Sequence, residues 1–163
     1  MPSLSIQYDP AIGPLIILFL SPPAVMRQIV IPPAAVGAAP SRQPQMFVAS
    51  ALIDTGASIT SVTADLATLV ELPLIGKRSL GTAGGVVSAN IYVADIGVPF
   101  GLIPAAAPGT QVPVTGMNTV MMESIQVMEF ACPSPHFKML LGRDIICKGI
   151  FTIGFDNRYT FSL

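Results

Sequence analysis

The chain has 163 residues and a formal net charge of -1, with 52% hydrophobic and only 10% charged residues, 16 prolines, 14 glycines and no tryptophan. That is too apolar for disorder and too often interrupted for long helices, so an all-β globular domain spanning residues 1–163 is expected. Eight Lys and Arg against nine Asp and Glu, with no basic cluster, remove the electrostatic basis for holding nucleic acid, and so little charge leaves apolar surface that self-association can cover.

In chain order, residues 4–8, 15–20, 25–31 and 46–53 read as strands, and residues 32–44 as a loop rich in Pro, Ala and Ser. The most apolar run, residues 15–20, stands between Pro14 and Ser21-Pro22-Pro23; a membrane span needs roughly 20 residues, so this is a strand. No Lys or Arg precedes Arg27, which argues against a secretory signal and for a cytoplasmic location. The two cysteines, Cys132 and Cys147, are then expected to be reduced. The single histidine, His136, lies in the loop-like Pro133-Ser134-Pro135-His136. No histidine-based zinc cluster forms around one imidazole, and neither a metal nor a cofactor is expected.

The strand over residues 46–53 ends in Asp54-Thr55-Gly56-Ala57-Ser58, which sets one carboxylate on a tight glycine turn. Thr63 has the chemistry of an N-cap, and Asp65 suits the first turn of a helix over residues 64–71 that closes at Leu72-Pro73. Leu66, Leu69 and Val70 would share its apolar face. Residues 78–96 have the form of a hairpin, with Gly81-Thr82-Ala83-Gly84-Gly85 at its tip and alternation from Ala89 onward. Such a tip suits a lid, although glycine is also ordinary turn chemistry. Residues 100–116 read as an extended loop and residues 124–130 as a strand. A further strand, a glycine and a short helix follow over residues 137–146. Two final strands, residues 149–155 and 159–163, are joined at Asp156-Asn157-Arg158.

Taken together, these residues resemble the retropepsin-like aspartic proteases. Asp54 to Ser58 look like the catalytic signature, Gly81 to Gly85 like the flap tip, and Leu140-Leu141-Gly142-Arg143-Asp144 like the element near the C-terminus. Ala57, where two-lobed relatives usually carry a hydroxyl, favours the single-domain branch. The resemblance covers roughly residues 46–163 and leaves residues 1–45 outside its strongest part. It implies a closed acid-protease-type β-barrel with one or two short helices and a flap hairpin. It also implies Asp54 as the catalytic group, Thr55 interlocking with its counterpart across a dimer axis, and Gly56 allowing close approach of a peptide or protein substrate. Leu140 and Leu141 would then pack under the loop, and Gly142 would start the helix behind it.

The signature occurs once, so a dyad requires a homodimer. Ser58 stands where retroviral members carry an acid that pairs with the arginine matching Arg143, so Arg143 needs another partner or faces solvent. Two other readings remain open at this point: a catalytically silent peptide-binding or assembly module of the same fold, and a β-barrel in which Asp54 merely makes an Asx turn.

Overall fold

The computed structural model describes residues 1–23, 45–82, 85–101, 107–113, 118–131 and 134–163. Among these residues eleven strands and two short helices are formed, in the order β1 (Ser3–Gln7), β2 (Leu15–Ser21), β3 (Gln45–Ile53), β4 (Ser61–Val62), α1 (Ala64–Leu69), β5 (Leu74–Thr82), β6 (Gly85–Pro99), β7 (Gln111–Pro113), β8 (Thr119–Glu129), β9 (Met139–Leu141), α2 (Arg143–Ile146), β10 (Ile150–Ile153) and β11 (Arg158–Ser162). The strand expected over residues 25–31 and the proline-rich loop after it lie outside the described residues.

Six strands close into a barrel. β2 pairs with β3, β3 with β9, β9 with β4, β4 with β8, β8 with β6, and β6 returns to β2 through Phe19↔Gly97, Leu20↔Ile96 and Ser21↔Asp95. β5 continues the sheet beyond β6 as its far edge. Inward residues alternate along the staves: Ile16, Leu18 and Leu20 on β2, Ala49, Ala51 and Ile53 on β3, Ala94, Ile96 and Val98 on β6. β2 is a continuous apolar run because its other face is covered too, Phe19 packing with Met46, Val48 and Val112 in a second cluster.

A separate three-stranded antiparallel sheet, in the order β1-β11-β10, joins the chain's beginning to its end, with Ser3 opposite Ser162 and Gln7 opposite Arg158. Its buried Tyr159 and Phe161 reach the barrel core, and the Tyr159 hydroxyl donates to the Leu15 carbonyl. Burial pushes that phenol above its ordinary range.

Local differences from expectation have identifiable causes. α1 stops at Leu69, Thr63 sits at its N-cap without a side-chain capping bond, and the buried arc runs over Leu66, Ala67 and Val70, which leaves Leu69 off its edge and half exposed. The loop expected over residues 100–116 contains β7, which pairs with Gln45, Met46 and Phe47. β8 begins at Thr119, ahead of a left-handed Ser124 with φ of 54° whose N–H is taken by Asp95. Cys147 is a free, exposed thiol, and Cys132 lies outside the described residues. Among the described residues no helix is long and apolar enough to cross a membrane.

Candidate active site

The barrel's topology makes the candidate loop. β3 and β4 are consecutive in the chain but not neighbours in the sheet, because β9 runs between them, parallel to β3 and antiparallel to β4. Residues 54–60 therefore pass over the end of β9. Ile53 stands opposite Leu141, and the ladder is carried one step further by the Asp54 N–H donating to the Leu141 carbonyl at 3.0 Å. Leu141 is fully buried below the loop, and Leu140 is half-buried.

At the tip the Asp54 carboxylate turns back on its own loop. Oδ1 accepts from the Gly56 N–H at 2.9 Å and from the Ala57 N–H at 3.2 Å, while the Ala57 N–H also bonds the Asp54 carbonyl. The Asx turn of the plainest reading is thus present, yet it engages only one oxygen. Oδ2 of the half-buried Asp54 has no hydrogen-bond partner among the described residues. Glycine at 56 keeps this arrangement open, since a Cβ there would come within 3.1 Å of Oδ1. Thr55, Gly56 and Ser58 are exposed and Ala57 is half-buried.

Beneath the loop lies a clamp that the motif does not announce. Thr60 is fully buried, and its N–H donates to both carboxylate oxygens of Asp144 at 3.0 Å. Its hydroxyl donates to Asp144 Oδ1 at 2.7 Å and accepts from the Gly142 N–H at 3.1 Å. Asp144 Oδ1 also receives the N–H of Ile145, and the Arg143 N–H donates to the Ala57 carbonyl at 2.9 Å. Gly142 caps α2 where two backbones cross. A Cβ there would lie 2.5 Å from the Ile59 carbonyl carbon and 2.7 Å from the Thr60 nitrogen, so only glycine fits without a shift.

The residues expected near the C-terminus, Leu140 to Asp144, are therefore brought against the Asp54 loop, and Asp144 is the member with the most bonds to it. The Arg143 side chain is exposed and has no ion-pair partner among the described residues. Thr60 is a member of this cluster that no sequence motif marks. Its position six residues after Asp54 carries no signal until β9 and α2 are folded beneath it.

The expected flap is the β5/β6 hairpin, longer than its sequence pattern. Its ladder runs from Leu74↔Tyr92 to Thr82↔Gly85, so Gly81 and Thr82 are paired positions rather than loop; Ala83 and Gly84 lie outside the described residues. The outer half projects into solvent with Val86 and Val87 exposed. Its base is tied to the barrel by Glu129, whose Oε2 accepts from the Tyr92 hydroxyl at 2.6 Å and from Asn90 at 2.8 Å. The Tyr92 bond, then the Asn90 bond, hold the Glu129 carboxyl below its ordinary range; burial first and Glu129 second push the Tyr92 phenol up. A cavity of about 600 Å³, lined in part by β1 and β2, lies elsewhere and does not contain Asp54.

No protein-family model and no curated protein matches the chain by sequence. In structure it is similar to a retropepsin-like aspartic protease from Rickettsia conorii, with a TM-score of 0.55 over 98% of this chain and 89% of that one, at 14% sequence identity. Identity that low speaks for the fold alone, and the fold is the closed, mostly β barrel described above.

Proposed function

We propose that this chain is an aspartic endopeptidase acting as a homodimer, each copy supplying one Asp54. The observation that carries the reading is the Asp54 carboxylate itself, with Oδ1 held by two loop N–H groups and Oδ2 left unengaged at the tip of a braced loop. A carboxylate needed only to shape a turn has no use for the Thr60–Asp144 clamp beneath it. The Asp-Thr-Gly signature occurs once in the chain, and an aspartate dyad needs two. Likeness of fold to an aspartic protease supports the class, and the outer edge of β10, unpaired among the described residues and with Ile150 and Ile153 exposed, is apolar surface available to a second copy.

Two carboxylates facing one water cannot both ionise cheaply, so the pair holds one proton between them. The ionised member takes a proton from the water as it attacks the scissile carbonyl, and the protonated member donates to the carbonyl oxygen. The resulting diol collapses with proton transfer to the leaving nitrogen. Because the pair titrates as a unit, activity belongs at acidic to near-neutral pH and fades once both protons are lost. Thr55 would bridge the two loops across the axis, and the β5/β6 hairpin would cover the bound peptide.

A peptide-library digest of the wild type and Asp54→Asn, beside mass determination in solution, tests this. Cleavage is expected from a dimer and should fall about a thousandfold in the variant. Cleavage that survives the substitution, or a strict monomer that cleaves nothing, overturns it. The edge of β5, open among the described residues, favours one competing reading, a silent module that grips extended peptides by strand addition, and binding without turnover would select it.

A further inference from the structure

Between the end of the Asp54 loop and the β5/β6 hairpin lies a cavity of about 350 Å³ whose walls include Ile59, Ile91, Gln126, Arg78, Lys148 and Asp144. Strand register explains its composition. Arg78 stands opposite Ala89, two residues from Ile91, and Gln126 stands opposite Val93, so these three side chains share one face of the sheet. Lys77 falls on the other face, where its charge acts on Glu129. Lys148 arrives from the opposite wall, just past α2.

The charges lining this cavity are unequal in what they have left to offer. Asp144 is the lining carboxylate, and both of its oxygens are committed to Thr60, with Oδ1 also bonded to Ile145. Asp95 sits behind the wall, buried, bonded to the Ser124 N–H, and Glu123 is a neighbour along β8 that does not line the space. Arg78 and Lys148, by contrast, are exposed and have no ion-pair partner among the described residues. Two cations with free donors thus face an opening floored by Ile59, at the end of the loop that carries Asp54, and by Ile91 on the hairpin.

We propose that this cavity is a selectivity subsite for a carboxylate side chain, Glu or Asp, of the bound peptide, with Arg78 and Lys148 as the specificity-determining residues. It rests on the endopeptidase reading only in taking a peptide as the ligand. The aliphatic stem of a glutamate would lie on Ile59 and Ile91 while its carboxylate takes the two cations, Arg78 offering the planar fork that suits it.

The test uses the full chain carrying Asp54→Asn, so that titrations run without cleavage. Fluorescein-labelled, C-terminally amidated decapeptides with a central Leu-Phe, alanine elsewhere and a single Glu, Gln or Lys moved through the outer positions are followed by fluorescence polarisation. Amidation leaves the side chain as the carboxylate being read. At one position Glu should bind about fivefold tighter than Gln, the advantage shrinking with salt. It should vanish in Arg78→Gln with Lys148→Gln, persist in Arg78→Lys, and turn in favour of Lys in Arg78→Glu. Equal binding of Glu and Gln at every position, a preference that survives the double substitution, or no binding of any peptide overturns the proposal. Digestion of the same peptides by wild type separates the two claims. Cleavage without charge preference sinks the subsite alone, and charge-selective binding without cleavage sinks the endopeptidase alone.

Discussion

The loop that carries Asp54 is braced from below by residues outside its motif. Thr60 is buried with two donors, an N–H and a hydroxyl, and both are spent on Asp144, 84 positions further along the chain. Removing the acid leaves those donors in the core with nothing to bond, a loss that exceeds the net worth of the bonds themselves. Asp144→Ala should therefore destabilise the fold by about 3 kcal/mol, whereas Asp144→Asn, which keeps an acceptor and loses the charge, should cost about 1 kcal/mol. Urea unfolding of the three proteins measures both differences. A cost for the alanine no larger than for the asparagine would mean that the clamp is not what braces the loop.

At the scale of elements, the order of strands was legible because alternation and proline punctuation are local signals. The continuous run of β2, the glycine after β9 and the Asp-Asn turn before β11 all lie in the chain as they lie in the fold. What was not legible depends on pairing between distant segments. β7 is strand only because β3 offers it an edge, and α1 leaves Leu69 half exposed because the face it buries runs over Leu66, Ala67 and Val70. The motif marks Asp54 as a candidate, but Thr60 joins the candidate site only because β9 passes between β3 and β4. The hairpin shows the same limit: its glycines marked the tip, yet nothing local reveals that Asn90 and Tyr92 on β6 are tied to Glu129 at the end of β8. That tie has a pH signature. The folded state holds the Glu129 carboxyl below its ordinary range, so the stabilisation is complete above the ordinary carboxylate range and drains away as pH falls through the lowered value. The Tyr92 phenol is shifted up, so its contribution is present below the ordinary tyrosine range and is lost as pH rises through the raised value. Tyr92→Phe should cost about 1 kcal/mol at neutral pH, and the deficit should narrow in acid. Thermal unfolding across pH measures it, and a gap that stays constant into acid would show that Glu129 is not the partner that matters.

For the whole molecule, the decisive quantity is the number of copies needed to make one site. The described chain carries Asp54 on an exposed loop, with Thr55 beside it making no hydrogen bond of its own among the described residues, and its three-stranded sheet ends at β10, whose outer edge has no partner among the described residues and which exposes Ile150 and Ile153. If each site is built from two chains, activity is a property of pairs and responds to mixing in a way that a one-chain site does not. Wild type combined with an equal amount of Asp54→Asn should re-pair at random, leaving about half of the wild-type chains in wild-type pairs, and the cleavage rate should fall to about half. A large excess of the variant should extinguish activity nearly in proportion to that excess, although no wild-type chain has been altered or removed. Dilution of wild type alone should lower the rate per chain as pairs separate. A site complete within one chain predicts neither effect: the variant would be a bystander and the rate per chain would hold on dilution. Initial rates at fixed wild-type concentration, with the variant titrated in after time for exchange, therefore decide whether Asp54 works alone or must meet its own copy.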